Sequence, residues 1–271
     1  MGQRFMVTGG AGFIGSHSVE CLLAAGHEVV VLDDLSTGKR GHLPDRVELR
    51  VGDIRDESLL EQLVPGLAGI LHLAALVSVP RSVEAPLESL SRNVEGTLKV
   101  LEAARRHGVP RVVLASSAAV YGRTPPPLDE EAPVRPLSPY GLEKATCETY
   151  ARIYHELHGL ETVALRYFNV YGPRQDPSSP YSGVLSILAD RARRGQPFQI
   201  HGDGLQTRDF VHVRDVAEAN RLALVTRDLG HAVLNVGTGV PTSVRDLVQL
   251  VRTLVPDMPP PVHGPARAGD V

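Results

Sequence analysis

Short apolar runs alternate with longer stretches of helical periodicity over the first two-thirds of the chain. The runs Phe5–Thr8, Glu28–Leu32, Glu48–Val51, Ile70–Leu73, Arg111–Ser116 and Thr162–Arg166 are rich in Val, Ile and Leu and lack polar alternation. Strands covered on both faces of a parallel sheet have this character. The intervening stretches predict helices. Phe13–Ala25 stops at Gly26 and Pro139–His158 stops at Gly159, both good C-cap residues. Asn93–His107 stops at Gly108 and carries Arg105 and Arg106 in its last turn, where the helix dipole favours cations. Repeated strand–helix–strand order implies a doubly wound α/β sheet.

After Arg166 the pattern loosens. Tyr171–Tyr181 contains Gly172, Pro173, Pro177 and Pro180 and reads as loop, and Val184–Arg194 predicts a helix. A polar loop from His201 leads into a strand near Phe210, and Val233–Val236 predicts a strand that rejoins the main sheet. Pro125–Pro127 and Pro259–Pro261 read as loops. The expected organisation is a nucleotide-binding domain over 1-168 with a return segment at about 214-239, and a smaller domain over 169-213 and 240-271.

Composition narrows the function. With 42% hydrophobic and 22% charged residues, the chain has the make-up of a soluble globular protein. A net charge of −3 gives no general drive toward nucleic acid or an anionic membrane, so an anionic ligand needs a local site. Cys21 and Cys147 are too few for a disulfide framework, which suits a reducing cytoplasm. The N-terminus enters a strand without an apolar leader. No apolar run approaches the ~20 residues needed to span a bilayer. The eleven histidines show no ligand spacing, so no metal is expected.

The first chemical signal is Val7-Thr8-Gly9-Gly10-Ala11-Gly12-Phe13-Ile14-Gly15, between a strand and a helix. Gly9 permits a tight turn, Gly12 lets the backbone approach a pyrophosphate, and Gly15 allows close helix–sheet packing. Asp33 ends the second strand, where a carboxylate accepts hydrogen bonds from adenosine ribose and repels a 2′-phosphate. This favours NAD over NADP. Asp34 can share that role, and Asp53-Ile54 ends the third strand, where an adenine would lie.

The second signal is Tyr140-Gly-Leu-Glu-Lys144, which puts a phenol and an ammonium on one helix face. A free tyrosine has a pKa near ~10 and is a poor base at neutral pH. A cation one turn away stabilises the phenolate. Of the 28 basic residues only Lys39, Lys99 and Lys144 are lysines, leaving 25 arginines. A lysine kept here in an arginine-rich chain points to chemistry that needs a compact ammonium. Ser117, at the end of the strand before that helix, completes a Ser–Tyr–Lys order.

These stretches resemble the extended short-chain dehydrogenase/reductase family, of the UDP-glucose 4-epimerase and UDP-N-acetylhexosamine 4-epimerase type. The matches are TGGAGFIGSH at Thr8–His17, DDLSTG at Asp33–Gly38, HLAALVSVPRS at His72–Ser82, NVEGT at Asn93–Thr97, SSAAVYG at Ser116–Gly122, SPYGLEK at Ser138–Lys144, LRYFNVYGPRQ at Leu165–Gln175, TRDFVHVRDVAEA at Thr207–Ala219 and NVGTG at Asn235–Gly239. The resemblance implies a Rossmann sheet with a smaller C-terminal substrate-binding domain, bound NAD and a UDP-sugar substrate. It implies Tyr140 as base, Lys144 as its electrostatic partner and Ser117 as assisting hydroxyl. By the same resemblance Phe13, Ile14, Leu73, Ala74, Ala75, Asn93 and Tyr167 face the cofactor. Ser78, Asn169, Arg208 and Arg267 face the substrate, the two arginines clamping its diphosphate.

Where dehydratases of that family carry an Asp-Glu pair after the catalytic hydroxyl residue, this chain has Ala118 and Ala119, so 4,6-dehydration is not expected. Family members usually run some tens of residues beyond the point reached at Val271, so the resemblance implies a C-terminally truncated sugar domain. Val77 stands where a lysine is often found, which suggests a roomy sugar pocket. The expected reaction is C4 epimerisation through a transient 4-keto sugar. Sibling reactions are net oxidation or reduction, or decarboxylation of UDP-glucuronate. A non-catalytic NAD-binding regulator is the alternative of another class, but it has no reason to keep Ser117, Tyr140 and Lys144 together. A homodimer is implied through the helices Asn93–His107 and Pro139–His158, with Val94, Leu98 and Leu101 either in that interface or packed on the sheet.

Overall fold

A computed structural model describes residues 2–177 and 183–265. The chain divides into two compact units, Met1–Tyr167 with Val213–Val236, and Phe168–His212 with Gly237–Val271. The elements of the first unit's N-terminal part are β1 (Arg4–Thr8), α1 (Phe13–Ala24), β2 (Glu28–Asp33), β3 (Glu48–Val51), α2 (Glu57–Leu63) and β4 (Gly69–His72). They continue as α3 (Val79–Glu84), α4 (Pro86–Leu90), α5 (Gly96–Arg106), β5 (Arg111–Ser117), α6 (Pro139–His158) and β6 (Glu161–Tyr167). Then come β7 (Asn169–Tyr171), α7 (Val184–Arg193), β8 (Gln199–His201), β9 (Thr207–His212), α8 (Val213–Val225) and β10 (His231–Val236). The chain closes with β11 (Pro241–Ser243), α9 (Val244–Leu254) and β12 (Val262–Gly264).

Among the described residues the first unit forms a seven-stranded, all-parallel sheet in the order β10-β6-β5-β4-β1-β2-β3. Its inner strands β1, β2, β4, β5 and β6 are largely apolar and buried on both faces, whereas the edge strand β3 is mostly exposed. Met6, Val30, Leu32, Ile70, Val112 and Leu114 share a core with α2, α5 and α6 residues such as Leu60, Leu101 and Ala151. Phe5, Val7, Val31, Leu71 and Val113, one residue out of step, are also 0% exposed and point to the other face. The strand order reverses between β1 and β4, and such a switch point opens a cleft at the carboxyl ends of the strands. The second unit has its own core around Leu188, Phe198, Ile200, Leu247 and Met258.

The expected helix Asn93–His107 is longer than its periodicity indicates. A π-helical turn at Ser91–Glu95 joins α4 to α5. Gly96 then passes so close to Ile54 that a Cβ there would fall 2.4 Å from Ile54 Cδ1. Leu101 is fully buried in the core, and the partly buried Leu98 packs against that core. The large exposed apolar side chains on this part of the surface include Val83, Leu87, Leu90 and Leu142, from α3, α4 and α6.

Candidate active site

The cleft at the switch point is lined by the glycine turn, by the ends of β2 and β4, and by α6. Gly9 has φ +69°, the left-handed region, and its N–H donates to Leu32 O at 2.8 Å. A Cβ at Gly15 would stand 2.1 Å from Gly9 O, so no side chain fits between α1 and the turn. Gly12 is the N-cap of α1 and supplies no side chain to the helix's first N–H groups. Those donors therefore face the cleft, in the arrangement that binds a pyrophosphate.

Asp33 is 6% exposed and lies beside this turn. Its two carboxylate oxygens accept from Ala11 N and Leu35 N, each at 2.9 Å. Burial pushes its pKa above the ordinary aspartate range, against the pull of those two N–H groups. Asp34 accepts from Ser36 N and Oγ at 2.9 and 2.6 Å. Asp53 is held by the Arg55 guanidinium, which lowers its pKa. These carboxylates, Ile54, and Leu73, Ala74 and Ala75 all line the same cleft as Gly9, Gly12, Phe13, Ile14 and Gly15. The donor turn and the acidic pocket together fit a dinucleotide without a 2′-phosphate.

At the other end stand Tyr140 and Lys144, each 7% exposed. Ser138 caps α6 by accepting from Gly141 N at 3.1 Å, and Pro139 begins the helix with φ already set. A Cβ at Gly141 would meet Ala119 O at 2.7 Å, so α6 can approach the end of β5 closely. Lys144 Nζ donates to Ala115 O at 2.8 Å. One turn further on, Glu148 receives Arg166 through two bonds at 2.9 and 2.8 Å and also accepts from Ser116 Oγ. This buried carboxylate ties α6 to β5 and β6.

Ser117 ends β5 opposite Tyr167. Its Oγ accepts from Ala119 N at 3.2 Å, and its neighbour Ser116 is the serine that lines the cleft. Tyr167 also lines it, and burial raises its phenol pKa. The Tyr167 hydroxyl donates to Asn220 Oδ1 at 2.5 Å, and Asn220 Nδ2 donates to Ser18 Oγ at 2.9 Å.

Two of the expected residues, Asn93 and Ser78, are not among those that line the cleft. Asn93 is 2% exposed, its Oδ1 accepts from Leu76 N at 2.7 Å, and its Nδ2 donates to Glu143 Oε2 at 2.6 Å. Its amide clamps the loop after β4 to α6. Ser78, 6% exposed, caps α3 by accepting from Arg81 N at 3.0 Å, so its oxygen is engaged with backbone. Asn169 and Arg208 belong to the second unit, on the paired strands β7 and β9. Arg267 lies outside the described residues. The sequence reading missed Ser36, Thr37 and Arg92, which also line the cleft, as does Val77. Ser36 and Thr37 directly follow the Asp33-Asp34 pair, a position that could have pointed to them.

Residues 5–237 match the model of the NAD dependent epimerase/dehydratase family. The chain belongs to this family. A putative UDP-glucose 4-epimerase of Methanocaldococcus jannaschii is 42% identical over 269 residues, which cover 98% of this chain and 87% of that one. The UDP-N-acetylglucosamine 4-epimerase of Methanobrevibacter ruminantium, in complex with UDP-N-acetylmuramic acid, superposes with a TM-score of 0.95 at 37% identity, covering 100% of this chain and 87% of that one. The Thermus thermophilus UDP-glucose 4-epimerase complexed with NAD gives a TM-score of 0.90 at 43% identity, covering 99% and 88%. In this epimerase/dehydratase-family chain Ala118 and Ala119 form the short turn after Ser117. Among the described residues no helix is long and apolar enough to cross a membrane, and no cluster of His, Cys, Asp and Glu is placed to hold a metal ion.

Proposed function

We propose that the chain is an NAD-dependent epimerase that inverts C4 of a UDP-hexose through a transient 4-keto sugar. The observation that carries this reading is the single cleft in which Tyr140 and Lys144 sit at one end and the glycine turn with Asp33 at the other. The relatives' activities, on UDP-glucose and UDP-N-acetylglucosamine, support the substrate class.

Bound NAD⁺ supplies the acceptor and donor of the hydride at C4. Tyr140, as phenolate, takes the proton from the sugar 4-hydroxyl and returns it to the 4-keto oxygen once the sugar has presented its other face. Lys144 stabilises the phenolate by its charge, and Ser117 orients the reacting oxygen. Asn169, Arg208 and Arg267 hold the diphosphate, whose oxygens suit arginine forks. Anchoring at UDP leaves the hexose loosely held, as presentation of both faces requires. Val77, 64% exposed at the cleft, leaves space for an N-acetylated hexose as well.

Incubation with UDP-glucose, UDP-N-acetylglucosamine and UDP-glucuronate separately, with the C4 epimers resolved, tests the reading. UDP-galactose from UDP-glucose is expected. Carbon dioxide release or stoichiometric NADH as the main product would overturn it.

The exposed apolar side chains Val83, Leu87, Leu90 and Leu142 support a homodimer through α3, α4 and α6. The two free thiols support residence in the cytoplasm.

A further inference from the structure

Beneath the cleft wall runs a buried polar chain centred on His72, which is 4% exposed. Its Nδ1 lies 2.8 Å from Thr8 Oγ1 and its Nε2 lies 3.0 Å from Thr97 Oγ1. The surrounding bonds leave one proton order. Thr97 Oγ1 donates to the Asn93 carbonyl at 2.6 Å, and a carbonyl only accepts. The Thr97 oxygen therefore receives the His72 ring proton, which sits on Nε2. Nδ1 is then bare and takes the Thr8 hydroxyl proton, while Thr8 Oγ1 accepts from Ala74 N at 3.2 Å. Burial, and secondly the charge of Lys144, push the ring pKa down to about 3, so the ring stays neutral at working pH.

Both ends of this chain adjoin residues that line the cleft. Thr8 precedes Gly9, and a Cβ on Gly9 would stand 2.8 Å from Ala74 N, so turn and wall are in contact. At the far end the Asn93 side chain grips Leu76 through its N–H and its carbonyl, at 2.7 and 3.2 Å, and grips Glu143, which precedes Lys144, at 2.6 Å.

We propose, resting on the redox reading above, that His72 is a positioning residue. Fixed as its neutral Nε2–H tautomer, it sets the Leu73–Val77 wall against the phosphate turn and registers that wall with the helix carrying Tyr140 and Lys144. It acts through Thr8, Ala74 and Asn93, without touching the substrate.

Two measurements test this. Nitrogen-15 spectra of histidine-labelled protein are expected to show His72 protonated on Nε2, bare on Nδ1 and unchanged between about pH 5 and 9. His72→Phe is expected to weaken NAD binding about tenfold and to shift the emission of bound NADH, because Thr8 and Thr97 lose their partner. His72→Gln restores a donor toward Thr97 and is expected to recover part of both. Thr97→Val keeps the imidazole and the volume. It is expected to shift the NADH emission while the melting temperature stays close to that of the parent. A proton on Nδ1, or titration near neutrality, would overturn the proposal. So would unaltered NADH emission and affinity in both His72→Phe and Thr97→Val. If the parent chain converts no UDP-hexose while the tautomer is as stated, the redox reading falls and takes the positioning role with it. A wrong tautomer in an active parent removes the positioning role alone.

Discussion

Lys144 Nζ stands 5.8 Å from the centre of the Tyr140 ring while its proton is held by the Ala115 carbonyl of β5 at 2.8 Å. The ammonium is thus anchored to the sheet and faces a phenol on the adjoining helix turn. Lys144→Met should lower kcat/KM by about two orders of magnitude. Tyr140→Phe should lose most turnover and retain UDP-sugar binding. Rate profiles of the three proteins, with calorimetry for binding, check both expectations.

Asp33 should make NAD binding sensitive to acid. Its carboxyl is raised above the ordinary aspartate range by burial, and only the ionised form accepts from both ribose hydroxyls. Affinity should therefore be full at neutral pH and fall as pH drops through that raised value, earlier than for a solvated aspartate. In Asp33→Asn this acid dependence should vanish and affinity should be lower throughout. NAD titrations by intrinsic fluorescence across the acid range measure this.

The pair between Glu148 and Arg166 is a stability determinant. Arg166 is 4% and Glu148 8% exposed, so removing the cation leaves a carboxylate uncompensated in the interior. Arg166→Met should cost about 3–5 kcal/mol in denaturant unfolding, whereas replacing both partners with apolar residues of similar volume should cost much less. A double-mutant cycle separates the two.

Leu87 is 80% exposed and Leu142 58% exposed, on α4 and α6 respectively. Leu87→Glu combined with Leu142→Glu should convert a dimer to a monomer without loss of secondary structure. Sedimentation velocity over a range of concentrations decides the matter. A chain that is monomeric before substitution would remove the proposed association.

The strands β1, β2, β4, β5 and β6 of the main sheet and α6 were legible because strands buried on both faces carry no alternation and α6 carries both its caps. The short helices α3 and α4, six and five residues long, offer too few turns for a period to emerge. In α9 the cap was there to be read, since Ser243 accepts from Asp246 N at 3.0 Å. The glycine turn, Asp33 and the Tyr140–Lys144 pair were visible because backbone geometry restricts which residues occupy those places. The surroundings of Asn93 and Ser78 were not legible, for the opposite reason. The partners an amide or hydroxyl finds, here Leu76, Glu143 and Arg81, are chosen by packing that brings distant segments together. His72, a lone histidine closing an apolar strand, gives no local sign of the two threonines that flank it in space.

The nucleotide-binding unit is closed late. Its strand β10 and helix α8 arrive only after the chain has travelled through all of Phe168–His212. During synthesis, therefore, β6 emerges as an open edge with unpaired backbone groups, and the hydroxyl of Tyr167 has no Asn220 to meet. A ribosome stalled before residue 213 carries a sheet with an exposed rim, the kind of surface that neighbouring nascent chains and chaperones recognise.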